Sequence, residues 1–324
     1  MLLVVLAAGG GGFAMPARAS EAFLALPVQA RPSADAASAY RVQKVGDSGF
    51  VVMSGIYQAV FVVTSAGVVL IDAPPAMAAI LPAAIRSVTD KRVTHVILSH
   101  DHFDHIGAVN LFPSAKLVAH ELTAQMLAVL PDPARPVPAF TFSGAHYELT
   151  VGDEVFELLY PAPSHEAGDI LVFVPRDKLA VMTDFVVPGW APYWGWGNAD
   201  YLPGYFKVYD ALLRLDFDTY VGGHLYRTGT RRDVEESRAY LIDLWIWTKA
   251  EMAASPMKPA ADPANVWAAQ TAWFDQVADR VTARLIAKWQ GRLAAVDTFT
   301  HDSVIAAIIS ITTDNPNIPA ALLQ

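Results

Sequence analysis

The densest chemistry in the chain is the run Ser99-His100-Asp101-His102-Phe103-Asp104-His105. Imidazole nitrogens and carboxylate oxygens this close together are an unusual concentration of metal-ligand atoms. The run follows a predicted strand, Val93 to Leu98. In extended backbone His100 and His102 point to the same side, so both can reach one ion. Once the chain turns, Asp104 and His105 can reach a second. Nitrogen and oxygen donors suit zinc, and also iron, manganese or nickel. A lone His-x-His on a strand is more often structural, but the full cluster points to metal binding. The sequence has no cysteine, which excludes thiolate ligands, disulfides and a cysteine nucleophile together.

His-x-His-x-Asp-His after a strand resembles the metallo-β-lactamase superfamily. Further stretches carry the same resemblance in the family's order. Val69-Leu70-Ile71-Asp72 is similar to its upstream strand, and Pro163-Ser164-His165-Glu166-Ala167-Gly168-Asp169 to the segment with the third histidine ligand. Met182-Thr183-Asp184 resembles the strand end that supplies a bridging carboxylate, and Val221-Gly222-Gly223-His224 the site of the last histidine. The resemblance covers roughly residues 40–232. It implies that His100, His102 and His165 hold a first ion, that Asp104, His105 and His224 hold a second, and that Asp184 bridges them with a water or hydroxide. Neighbouring cations need shared negative charge to offset their repulsion, and such a pair acidifies water and polarises a substrate carbonyl. Asp104 is expected also to orient the nucleophile.

Each position alone has a plainer reading. Asp72 is either a group behind the ligands or a simple turn residue, and the two readings stay open. His165 lies in a loop where it can be merely solvated, Gly222-Gly223 can be an ordinary turn, and Asp184 can cap the next segment. Jointly these readings require several independent coincidences. His95, His120, His146 and His301 fall outside the pattern and read as structural or surface residues.

From Asp184 the chain enters Phe185 to Asn198, a loop rich in aromatic residues, proline and glycine. Leaving directly from a predicted ligand, it is expected to line a substrate pocket through Trp190, Trp194, Trp196 and Asn198. The plainer reading packs these rings onto the body of the fold. Tyr193 or Tyr201 is expected to donate a hydrogen bond to a developing oxyanion, and Asn198 can do the same.

Asp184 stands where β-lactamases of the same family with a cysteine ligand carry that cysteine, and His105 is a ligand those enzymes generally lack. The set therefore looks more like lactonases, glyoxalase II-type thioesterases and related esterases. The expected activity is a metallo-hydrolase with two zinc ions, iron or manganese being alternatives. It would cleave an ester, lactone, thioester or amide of a small, apolar or ring-bearing molecule. Alternatives are a β-lactamase, or a non-haem iron oxygenase on the same fold, which typically uses one iron and fewer ligands. Lys+Arg 23 against Asp+Glu 32 gives a formal net charge of -9, so no basic face is available for nucleic acid.

The elements that must position these residues are legible as alternating strands and helices. Strands are predicted at Phe50 to Met53, Ala59 to Thr64, Val68 to Asp72, Val93 to Leu98 and Lys116 to Ala119, with helices over Met77 to Val88 and Glu121 to Leu130. The order recurs with strands near Tyr147 to Thr150, Glu154 to Tyr160, Ile170 to Val174, Leu179 to Thr183 and Thr219 to Val221, and a helix over Gly204 to Leu215. The fold class is therefore α/β: an αββα sandwich of two mixed β-sheets flanked by helices, with a C-terminal helical extension. Residues 40–232 form the metallo-β-lactamase-like domain and 233–324 the extension, whose helices are predicted at Asp233 to Ala254, Pro263 to Gly291 and Ser303 to Ile311. Trp245, Trp247, Trp267, Trp273 and Trp289 in these helices read as core packing. Residues 20–39 read as a linker or arm. Residues 1–19 read as a secretory signal cleaved after Ala19, although a positively charged start is missing, so export to the periplasm or medium is expected. The apolar run is too short for a bilayer, which needs about 20 residues, and no integral membrane span is expected. A small-molecule substrate is the expected partner, with homo-oligomerisation left open.

Overall fold

The computed structural model describes residues 23–31 and 39–323, so the signal reading of 1–19 lies outside the described residues. The first half forms β1 (Arg41–Val45), β2 (Gly49–Ser54), β3 (Tyr57–Thr64), β4 (Gly67–Ile71), α1 (Leu81–Arg86), β5 (Val93–Ile97), α2 (Phe103–Ile106), β6 (Lys116–His120), α3 (Glu121–Val129) and β7 (Phe140–Phe142). The second half continues with β8 (His146–Val151), β9 (Glu154–Leu159), β10 (Leu171–Val174), β11 (Leu179–Val181), α4 (Trp194–Asn198), α5 (Leu202–Arg214) and β12 (Thr219–Val221). Three long helices follow: α6 (Arg231–Ala254), α7 (Val266–Trp289) and α8 (Val296–Thr313).

The strands make two mixed sheets. One has seven strands in the order β1-β2-β3-β4-β5-β6-β7, the other five in the order β12-β11-β10-β9-β8. In the first, β1 to β4 run antiparallel and β4 to β7 parallel. In the second only β11 and β12 are parallel. The α/β sandwich expected from the sequence is the architecture observed. Two strands escape the sequence pattern: β1, and the short β7, which emerges from the proline-rich stretch before it. The helix predicted over Met77 to Val88 is shorter than expected, because Pro75–Met77 forms a 3-10 turn and the regular helix begins only at Leu81.

Strand alternation sets the layers. Val60, Val62, Val69 and Ile71 face Phe156, Leu158, Val172 and Val181 across the sandwich, while Phe61 and Leu70 turn the other way onto Met77, Leu81 and Ile85. A strand covered on both faces reads as a continuous apolar run, as β3 and β4 do. The outer face of the second sheet, with Leu171, Phe173 and Ala180, shares one core with α5 and the C-terminal helices through Phe206, Leu241, Trp245, Val281, Leu285 and Ile308. The α6 start is fixed by a capping box between Thr230 and Asp233. Trp245 and Trp289 are buried as expected, but Trp267 is 73% exposed. It lies in the first turn of α7, before the stripe that faces the core begins, which corrects its reading as a packing residue. The arm docks on the extension, Leu24 N donating to Asp297 Oδ2 at 2.7 Å and Gln29 Nε2 to Gly291 O at 3.0 Å. No helix among the described residues is long and apolar enough to cross a membrane.

Candidate metal centre

The histidine cluster begins where β5 ends. The chain stays extended to His102 (φ -62°, ψ 133°) and then winds into α2, which carries Asp104 and His105. His165 comes from the loop between β9 and β10, Asp184 from just past β11, and His224 from just past β12. The structure brings all of these to one edge of the sandwich. Two groups of ligand atoms form, each lying within 4.8 Å of one another: His100, His102, His165 and Asp184, and beside them Asp104, His105 and His224. Asp184 faces both. Its Oδ2 lies 3.5 Å from His100 Nε2, 3.4 Å from His165 Nε2 and 3.9 Å from His102 Nδ1. Its Oδ1 lies 3.2 Å from His105 Nε2 and 2.9 Å from His224 Nε2. Asp104 Oδ2 completes the second group, 3.5 Å from His105 Nε2.

Backbone strain concentrates here. Asp72, Asp184 and Leu225 adopt φ of 61°, 62° and 64°, a region that costs a non-glycine residue on the order of 1–3 kcal/mol. The glycine pair before His224 is needed for close approach. A Cβ on Gly222 would sit 1.9 Å from Val186 O, and one on Gly223 2.6 Å from Thr183 Cγ2.

Groups behind the ligands set their orientation. Asp72 accepts from Ser99 N at 2.9 Å, Ser99 Oγ at 2.7 Å and Thr183 Oγ1 at 2.8 Å. With its proton given to Asp72, the Ser99 hydroxyl accepts from His100 Nδ1 at 2.8 Å. The His100 proton is thereby fixed on Nδ1, and Nε2 presents a lone pair to the centre. His102 turns Nδ1 inward because Glu166 Oε1 holds its Nε2 at 2.5 Å. His224 donates from Nδ1 to Ile56 O at 3.0 Å, and Asp169 Oδ2 accepts from His165 N at 3.2 Å. Tyr57 OH donates to Asp104 Oδ2 at 3.2 Å.

The charge balance suits cations. Burial pushes His100 down to about 3, leaving it neutral, as a ligand must be. Burial opposes a charge on Asp184, but His105 and the surrounding imidazoles hold its carboxyl well below the usual range. Burial also opposes a charge on His102, yet Asp184 and Glu166 override it and lift the imidazolium to about 10. Burial likewise opposes a charge on His105 and His224, yet Asp184 raises both, and metal cations would supply the positive charge that this carboxylate favours. His100 Nε2 is buried without a hydrogen-bond partner. An orphaned lone pair inside a shell of nitrogen and oxygen donors fits divalent metal ions.

Above the ligands opens a cavity of about 440 Å³, lined by His102, Asp104, His165, Asp184 and His224 together with Tyr57, Trp190, Tyr193, Asn198 and Phe299. Three sequence expectations fail at this point. Trp196 is not in the cavity wall. The residues Gly195, Trp196 and Gly197 wind left-handed inside α4, which turns the indole inward, where it is fully buried, packs on Trp245 and donates to Ser303 O at 3.1 Å. Trp194 is half exposed and does not line the cavity; its ring abuts Tyr193 and Phe299 instead. Tyr201 faces a separate, smaller cavity with Lys207, Ile318 and Leu322, and its amide donates to Ser164 O at 3.0 Å. Trp190, Tyr193 and Asn198 do line the main cavity.

Sequence reasoning missed Tyr57, Glu166 and Phe299. Glu166 follows the predicted ligand His165 in sequence, but its partner is His102, a pairing that no local pattern signals. Tyr57 and Phe299 arrive from elements remote in sequence and carry no local signal. The other histidines lie outside the cluster. His120 Nδ1 accepts from Leu122 N at the start of α3, His95 contacts Thr94, and His146 and His301 pair with Glu157 and Asp279.

The chain is similar to several known proteins. The model of the metallo-beta-lactamase superfamily matches residues 55–224. One similar curated protein is 2,4-dinitroanisole O-demethylase subunit alpha of Nocardioides sp. (strain JS1661), 30% identical over 208 residues, covering 61% of this chain and 60% of that protein. Another is metallo-beta-lactamase type 2 of Elizabethkingia meningoseptica, 32% identical over 132 residues, covering 38% and 49%. The chain thus matches less than two thirds of the length of either relative. A solved metallo-beta-lactamase from Pontibacter korlensis shares the fold with a TM-score of 0.53 at 20% identity, covering 61% of this chain and 96% of that one. The family match spans every stretch that carries a candidate ligand, from the histidine cluster to His224, and the chain belongs to the metallo-β-lactamase superfamily.

Proposed function

We propose that the chain is a metallo-hydrolase that holds two zinc ions and cleaves an ester, lactone, thioester or amide of a small, ring-bearing substrate. The observation that carries this reading is the coincidence of the two ligand groups with the floor of an otherwise apolar cavity. His100, His102 and His165 would hold one ion and Asp104, His105 and His224 the other, with Asp184 shared. When bound, the ions supply Lewis acidity for the scissile carbonyl and lower the pKa of water.

The chain's own residues perform the remaining tasks. Asp104, half exposed to the cavity and held by Tyr57, accepts the proton of the attacking water. Tyr193 and Asn198 stand on the cavity wall as donors for a developing oxyanion. Trp190 and Phe299 exclude water and hold the substrate's ring.

A second reading is favoured by the relative named as an O-demethylase of 2,4-dinitroanisole. On an electron-poor aryl ether, water can add at the ring carbon bearing the methoxy group. The ring carbon–oxygen bond then breaks, and methoxide leaves and takes up the proton. That displacement needs no oxidant, and the same cavity can hold its ring. A β-lactamase reading is less well supported, since no lysine or arginine among the described residues lines the cavity to hold the carboxylate of a β-lactam.

The test is a panel run on zinc-loaded protein: aryl esters, lactones, a thioester, a chromogenic β-lactam and 2,4-dinitroanisole. Turnover of an aryl ester or lactone above the others supports the first reading, and methanol release from the ether supports the second. Turnover of none of them, with both metal sites filled, contradicts both.

A further inference from the structure

The family match ends at His224, yet one wall of the cavity comes from beyond it. Phe299, near the start of α8, lines the cavity together with Trp190 and Tyr193. Its placement is over-determined. Ala191 N donates to Ala294 O at 2.9 Å, and Ala294 N donates to Gly189 O at 2.9 Å, so the loop after Asp184 is stitched to the segment entering α8. Ala295 turns left-handed at φ 57° to start the helix. The next residue along, Thr300, is hydrogen-bonded to Tyr240 OH at 2.6 Å. Trp196 ties the loop to Ser303 O from below. These contacts leave Phe299 directed at the cavity.

The rings at the mouth brace one another. Phe299 lies 5.2 Å from Tyr193 at 61° and 5.7 Å from Trp194 at 72°, and Tyr193 lies 4.9 Å from Trp194 at 60°. Edge-on packing of this kind fixes the orientation of each ring and leaves faces free to accept another. Tyr193, which lines the cavity, is 52% exposed, although it is a large aromatic whose burial is favourable. A ligand seated against Phe299 would cover part of that surface.

The geometry points to an aryl-binding wall built by Phe299, Trp190 and Tyr193, through which the C-terminal helices select a neutral, planar aromatic group. The inference rests on the reading of this cavity as the substrate site, and it assigns the discriminating ring to a part of the chain outside the family match. The polar groups around the cavity are the metal ligands, Tyr57, Tyr193 and Asn198. Among the described residues no cationic side chain reaches the wall, so a charge carried at the far end of the substrate would be desolvated without a partner.

The experiment uses the full zinc-loaded chain and two neutral probes with the same polar group, nitrobenzene and nitrocyclohexane. Calorimetric titration is run on wild type, Phe299→Ala, Phe299→Leu and Phe299→Tyr, with metal content and melting temperature measured on each. Wild type is expected to prefer the flat ring. Removing the Phe299 ring should weaken nitrobenzene about tenfold, erasing most of the preference, and Phe299→Tyr should restore it. Phe299→Leu keeps the apolar volume and serves if the alanine variant folds poorly. With a hydrolysed aryl ester, KM should rise more than kcat falls. Equal binding of the two probes by wild type, or an undiminished preference in Phe299→Ala and Phe299→Leu, overturns the assignment. A preserved ring preference with no hydrolysis of any substrate would remove the proposed reaction and leave the wall standing, so the two failures are distinct.

Discussion

Asp184 is the residue on which the centre turns, because its two oxygens face different histidine groups. Replacing it with asparagine removes the shared negative charge while keeping the shape. Asp184→Asn should lower turnover by about 10²-fold or more and leave the chain folded; near-normal turnover would remove the shared-ligand role. Glu166 acts one contact away, through His102 Nε2. Glu166→Gln should weaken metal binding or activity by about 10–100-fold, read by competition with a chelator dye, and unchanged affinity would mean that His102 needs no such brace. At this scale much was legible. His100, His102, Asp104 and His105 announce themselves by density in a short stretch. His165, Asp184 and His224 follow from resemblance, since each is one residue in an unremarked loop. Trp196 was misread because a tryptophan in a loop next to a ligand gives no sign that a left-handed turn will rotate it into the core.

At the scale of elements, α4 and the start of α6 carry specific consequences. Gly197 has φ +80°, and a Cβ there would lie 3.1 Å from Asp184 O. Gly197→Ala should therefore destabilise the chain by roughly 1–3 kcal/mol, seen as a lowered melting temperature; an unchanged melt would show that the turn can relax. Asp233 caps α6 and pairs with Arg227. Burial opposes its charge, but Arg227 and the Thr230 hydrogen bonds keep its carboxyl below the usual range. A depressed folded pKa means stabilisation that is present above the ordinary carboxylate value of about 4 and lost as pH falls through the folded value. Asp233→Asn should thus lower the melting temperature at neutral pH by the equivalent of about 1 kcal/mol, with the gap to wild type closing in acid. A gap independent of pH would contradict the ion-pair account. The strands with continuous valine and leucine were readable because both of their faces are covered. The short β7 was not, because Phe140–Phe142 gives too few residues for alternation to show.

For the whole molecule, the C-terminal helices and the second sheet share one apolar core, so the extension cannot be treated as an appendage. The sequence shows its helices through their apolar periodicity but not which face of the sandwich they cover, and Phe299 reaches the cavity only through that packing. Asp184, a carboxylate ringed by imidazoles, favours positive charge at the centre, which bound cations would supply. Any ion that binds the folded chain alone stabilises it, by about 2.7 kcal/mol at a hundredfold excess over its dissociation constant. Chelation should therefore lower the melting temperature and added zinc should restore it.

The most direct measurement is elemental analysis of the zinc-loaded chain, wild type beside Asp184→Asn, after removal of loosely held metal. A centre in which His100, His102 and His165 face Asp104, His105 and His224 across a shared carboxylate should retain about two zinc ions per chain, and the variant clearly fewer. Wild type retaining none, or both proteins retaining the same amount, would contradict it.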